Sequence, residues 1–143
     1  MTVNSKFIKL IMFAICLSCF VFNEVSAQTI KFNCSVFKDT LTHKIIYKQA
    51  DTIPEPEGGI QALSLAIARK LRAPVDFSGR IIVAFIVEAN GTIDGKRVIK
   101  DESGKEEVFG KQILNLINNV KWKPALCNGK AVPFLYSLPS SLN

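Results

Sequence analysis

The side chains that could do chemistry are few and dispersed. The single histidine, His43, has no Cys, His or carboxylate set around it with ligand spacing, so no metal site is legible there. Ser140 and Ser141 sit in a polar terminal stretch without a base. Glu55-x-Glu57 and Glu106-Glu107 pair carboxylates, but beside a turn and a helix start, where acids are favoured by the local backbone dipoles. Neither pair reads as the two flanking acids of a glycoside hydrolase. Gly58-Gly59 precedes a helical pattern without the rest of a phosphate loop, and reads as a chain reversal. These patterns predict no enzyme, no cofactor and no metal. Trp122 reads as a core anchor.

The cysteines point to an address instead. Lys6 and Lys9 precede an apolar run from Leu10 to Phe22, and Val25-Ser26-Ala27 ends in a small residue. That is the layout of a secretory signal peptide spanning 1–27 and cleaved after Ala27. The run is about 13 residues, short of the ~20 a spanning helix needs. Membrane association would follow only if this segment were retained, as a signal anchor or as a lipoprotein acylated at Cys19. Cleavage leaves about 116 residues, enough to bury a core without metal or many disulfides. Cys34 and Cys127 would then remain in an oxidising compartment. Bridged, they would close a loop of about 94 residues, for up to ~4.6 kcal/mol in the chain-entropy model. Two separate thiols are the other reading.

Losing Lys6, Lys9 and Glu24 lowers the net charge from +6 to +5. Lys96, Arg97 and Lys100 are interspersed with Asp94, Asp101 and Glu102, and no basic run alternates with aromatics. Nucleic acid is therefore not an expected partner.

The elements follow from periodicity. Arg80–Glu88 is β-branched and apolar on both faces, and Asn90-Gly91 leads into Thr92–Lys100, so the two form a hairpin with an expected type I′ turn and a bulge at Gly95. The two-sided apolar character means its outer face, with Ile82, Ala84 and Ile86, must be covered by the N-terminal segment or by another chain. Upstream, residues 28–52 alternate weakly, with a short strand expected over His43–Gln49. After the DTIPEPEGG punctuation, Ile60, Leu63, Ile67 and Leu71 mark one side of a helix ended by Pro74. Ser103 and Glu106 have the spacing of a capping box for a second helix over Glu106–Asn119, striped by Phe109, Ile113, Leu116, Ile117 and Val120. Asn128-Gly129 is another turn. The last strand is expected over Ala131–Leu138, and prolines 133 and 139 at its ends predict a sheet edge or pairing through only part of its length. The order helix, strand, strand, helix, strand is that of an α+β fold: two helices packed on one face of a small, mostly antiparallel sheet, over residues 53–143.

Three stretches together resemble a known family: IYKQADTIPEPEGGIQAL, GRIIVAFIVEANGTIDGKRVI and VKWKPALCNGKAVPFLYSLP. They are similar to the C-terminal domain of TonB, in the short free-standing variety common in Bacteroidetes-type envelopes. The resemblance implies a periplasmic module that recruits a peptide of an outer-membrane TonB-dependent transporter by strand addition beside its last strand. Carried onto this chain, the partner-binding residues would be Ala131, Val132, Phe134, Leu135, Tyr136 and Leu138. The apolar run is shorter than a spanning helix needs, and the family's long proline-rich spacer is not seen, which favours binding over energy transduction. A membrane-anchored transducer and a self-associating, homodimeric envelope domain are the alternatives.

Overall fold

The computed structural model describes residues 34–71, 78–103 and 107–142. The signal segment, Pro74 and the Gly104–Glu106 part of the expected capping box lie outside the described residues. The described chain runs β1 (Ser35–Lys38), β2 (Ile45–Gln49), β3 (Glu55–Pro56), α1 (Gly59–Lys70), β4 (Gly79–Val87), β5 (Ile93–Asp101), α2 (Val108–Ile117), β6 (Trp122–Lys123), β7 (Ala125–Cys127), β8 (Lys130–Val132) and β9 (Phe134–Leu142). Five strands make the main sheet in the order β1-β2-β9-β4-β5, while β3-β6 and β7-β8 form two small ladders. Every pair is antiparallel except β2 with β9. This is an α+β fold, with two helices among the described residues.

Alternation on β4 does what its sequence requires. Ile81, Val83, Phe85 and Val87 all go to zero exposure in one cluster with Leu63 and Ile67 of α1 and Phe109, Ile113, Leu114 and Ile117 of α2. Each such side chain stabilises the fold by about 1.5–3 kcal/mol through burial alone. Phe85, Trp122 and Tyr136 meet in a three-ring contact, with centroids 5.2–5.6 Å apart. On the opposite face, Ala84 and Ile86 are buried too. The N-terminal segment packs on this side: Thr42, in the loop between β1 and β2, and Ile86 both lie over Gly95, and Ile46 of β2 is fully buried.

The β1–β2 loop carries its own lock. Asp39 is 2% exposed, and its carboxylate accepts the Thr42 N–H and hydroxyl at 2.9 Å and pairs with the Arg97 guanidinium of β5 at 2.7 Å. At the surface, Lys44 reaches both Glu88 and Asp94 at 2.7 Å.

Three local expectations are corrected by packing. The first concerns the hairpin turn. Glu88 N–H donates to Thr92 O, Gly91 N–H donates to Glu88 O, and of Asn90 and Gly91 only Gly91 has positive φ. The loop therefore has three residues, a type I turn followed by a left-handed glycine, rather than a type I′ pair. A Cβ on Gly91 would lie 2.3 Å from the Trp122 carbonyl oxygen, so the β6 backbone has closed over this position. The I′ geometry occurs at Asn128-Gly129, both at positive φ between the paired Cys127 and Lys130. Gly95 does form a bulge, at φ 55 where the β4–β5 register shifts.

The second correction concerns the start of α2. The helix begins at Val108 after a left-handed Glu107, so Ser103 is not its N-cap. Asp101, at the end of β5, takes the role through space: its carboxylate accepts the Gly110 N–H at 2.8 Å and the Ser103 N–H at 2.9 Å. Burial pushes the Asp101 carboxyl up, but hydrogen bonds from Ser103 and from the Gly110 and Phe109 amides outweigh it and hold it below the usual carboxylate range. The same seam explains a glycine inside a helix. A Cβ on Gly110 would come 2.7 Å from both Val98 methyl groups. Helix propensity alone predicts that Gly110→Ala stabilises by about 1 kcal/mol. Packing predicts the reverse, a loss of about 1–3 kcal/mol in urea unfolding, because Val98 is β-branched and cannot swing aside.

The third correction is the end of the chain. The strand expected over Ala131–Leu138 is broken at Pro133, with β8 on one side paired to β7, and β9 on the other. β9 lies between β2 and β4, but on the β2 side it is paired only at its start, the partial pairing that its prolines predict. Pro133 lacks an N–H, and its carbonyl accepts the Tyr47 N–H at 2.8 Å, where β2 joins the sheet.

Candidate functional site

The two sides of β9 are unequal. Toward β4 it is paired over its whole length, from Phe134 opposite Val87 to Leu142 opposite Gly79, without a register shift. Toward β2 there is one bridge, Tyr47 with Phe134. Backbone groups alternate sides along a strand. Because the Pro133 carbonyl points outward to β2, those of Ser137, Pro139 and Ser141 point outward as well, and no described strand pairs with them. Pro139 fits this placement, since a proline in a strand must turn its missing N–H away from the ladder.

Apolar side chains flank the open edge. At its start is a hollow of about 760 Å³, lined by Ile53, Pro54, Ile60, Phe134 and Tyr136 together with the Lys48–Thr52 stretch. Beside its far end is a smaller hollow of about 350 Å³ between α1 and β9, lined by Ser64, Leu65, Ala68, Pro139, Ser140 and Ser141. Ile53, Ile60 and Leu65 are 63%, 41% and 57% exposed. Ile60 belongs to the stripe expected to be buried, but the first turn of α1 overhangs the hollow, while Leu63, Ile67 and Leu71 reach the core. Burial raises the Tyr136 phenol above its ordinary pKa.

The residues expected to meet a partner are distributed unevenly over this geometry. Ala131 and Val132 belong to the β7–β8 ladder. Val132, Phe134 and Leu138 are buried, Leu135 is half-buried on the face opposite the helices, and Tyr136 is half-buried against the first hollow. Outside the expected set, Ser137, Pro139 and Ser141 turn their carbonyls outward, and exposed Ile53 and Leu65 line the two hollows. The sequence signals for these positions are an isoleucine inside a proline-rich turn and a proline within a strand.

Cys34 and Cys127 are joined by a disulfide, with Cα atoms 6.1 Å apart. Asp51 lies beside it, its carboxylate accepting the Asn128 N–H at 2.6 Å. These three residues cluster closely enough to suggest ligands, but the sulfurs are committed to each other. His43 is exposed in the β1–β2 loop at positive φ. Among the described residues, no helix is long and apolar enough to cross a membrane.

The model of one family, Gram-negative bacterial TonB protein C-terminal, matches residues 68–141, more than half of the chain. The chain belongs to the TonB C-terminal family. No characterised protein matches it closely enough to count as a relative. Membership makes it a TonB-like domain of the cell envelope, a transport-associated protein-interaction domain rather than a known catalyst. The matched residues run from the last turn of α1 through β9. The β1–β2 hairpin and Cys34 lie before them.

Proposed function

We propose that this TonB-like domain captures an extended peptide of an outer-membrane TonB-dependent transporter by strand addition along the outer side of β9. The observation that carries the proposal is the open backbone at Ser137–Ser141, bordered by exposed Ile53, Ile60 and Leu65. An unpaired edge supplies hydrogen bonds to any extended backbone, while flanking apolar hollows select alternate side chains. Ser137 and Ser141 offer both N–H and C=O, and Pro139 offers a carbonyl only.

Titration of the isotope-labelled mature protein with TonB-box peptides of such transporters should move the amide signals of Ser137–Ser141 and the methyl signals of Ile53 and Ile60. Ser137→Pro removes one outward donor while leaving the β4 ladder intact. It should weaken the peptide by roughly three- to tenfold, the worth of one net hydrogen bond. Shifts confined to other surfaces, with wild-type affinity in the proline variant, would sink the proposal.

A further inference from the structure

β2 lies on the same side of β9 that stays open further along, and its hold there is slight: one bridge, against nine residue pairs between β9 and β4. What keeps the hairpin in place comes mostly from off the strand. Cys34, just before β1, is tied to Cys127 of β7; Asp51 and Thr52, just after β2, bond to Leu126 and Asn128; Asp39 reaches Arg97. We infer that the β1–β2 hairpin is an intramolecular stop on the binding edge, latched by the Cys34–Cys127 disulfide. An incoming strand then reaches only Ser137–Ser141 while the latch is closed. This rests on the strand-addition proposal above.

The chemistry of the stop is that of a competing strand. The Pro133 carbonyl is already occupied by the Tyr47 N–H, so a partner cannot extend its ladder back to Phe134 without displacing β2. Apparent affinity for a long strand scales with the fraction of molecules in which β2 has moved away. The disulfide lowers that fraction, because a tethered segment gains little chain entropy on leaving the sheet. The hairpin lies before the residues that match the family, whereas β9, the strand it stops, lies within them up to Ser141.

Two synthetic TonB-box peptides test the latch by calorimetry on the mature protein: one of about nine residues, long enough to span β9, and one of about five. The long peptide should bind Cys34→Ser/Cys127→Ser at least about tenfold more tightly than the disulfide-bonded protein, and the short one should bind both alike. Tyr47→Pro, which removes the seam's N–H donor with the disulfide intact, should show the same bias toward the long peptide and covers the case in which the cysteine variant folds poorly. Equal affinity of the long peptide for all three proteins overturns the latch and leaves strand addition standing. So does a gain shared equally by both peptides, because the stop acts only at the start of β9. No binding of either peptide to any of the proteins overturns both proposals.

Discussion

Asp39→Ala should cost about 3 kcal/mol of stability, measured as a fall in the urea midpoint with an unchanged slope. The substitution removes the acceptor for two Thr42 hydrogen bonds and strips Arg97, itself only 20% exposed, of its 2.7 Å carboxylate partner. An ion pair of this kind adds little relative to well-packed apolar residues, but losing one member leaves the other charge desolvated and uncompensated. The pH dependence carries a second signature. Burial pushes the Asp39 carboxyl up, but the bonds from the Thr42 amide, Arg97 and the Thr42 hydroxyl outweigh it, and the pKa falls from 3.8 to about 2. The folded state therefore binds its proton more weakly than the unfolded chain does. The stability this group contributes is fully present above about pH 4 and is lost as pH falls toward 2. Asp39→Asn, which keeps an acceptor for Thr42, should flatten the stability profile between pH 4 and 2 relative to wild type. An unchanged acid profile would show that another carboxylate governs that window.

Replacing both cysteines should have an effect of similar size for a different reason. The bridge joins residues 93 apart in sequence, and in the chain-entropy model a loop of that length is worth up to about 4.6 kcal/mol through restriction of the unfolded state. Cys34→Ser/Cys127→Ser should accordingly lower the thermal midpoint by about 15 °C. Because the constraint acts on the unfolded chain, folding should slow or unfolding quicken without loss of the β4–β9 ladder. Hydrogen exchange separates the two ends of the molecule: Ile46 and Tyr47 should lose more protection than Val83 and Phe85, which sit deep in the helix-covered core. Uniform loss across all four would mean that the disulfide stabilises the whole domain without a local role at the hairpin.

Much of the fold was legible before any coordinates because its signals are local. The β-branched run of β4, the alanine-rich first helix and the Phe109, Ile113, Ile117 stripe of α2 each write their secondary structure into a short window, and both faces of β4 announced that something must cover the second one. Leu114 escaped that stripe because α2 is packed on more than one side. The misses share a cause: each depends on residues distant in sequence. Asn90-Gly91 had the composition of a type I′ turn, but the β6 carbonyl against Gly91 leaves a three-residue loop. Ser103 had capping-box spacing, yet Asp101 caps α2 because β5 ends beneath its first turn. Gly110 looked like a simple helix weakness until Val98 was placed against it.

The last strand shows the same division. By itself the sequence determined that the chain ends in a strand interrupted by prolines, that its apolar periods build two helices against a sheet, and that its motifs are those of the TonB C-terminal family. Side-chain period and proline's missing N–H are properties of single residues and near neighbours, so they can be read in order along the chain. Only the tertiary structure decided which part of that last strand is free. β2, more than 80 residues earlier, takes the outer side of β9 at Phe134 and leaves it at Ser137, and the hydrogen bonds that set this limit form between segments whose separation no local pattern encodes.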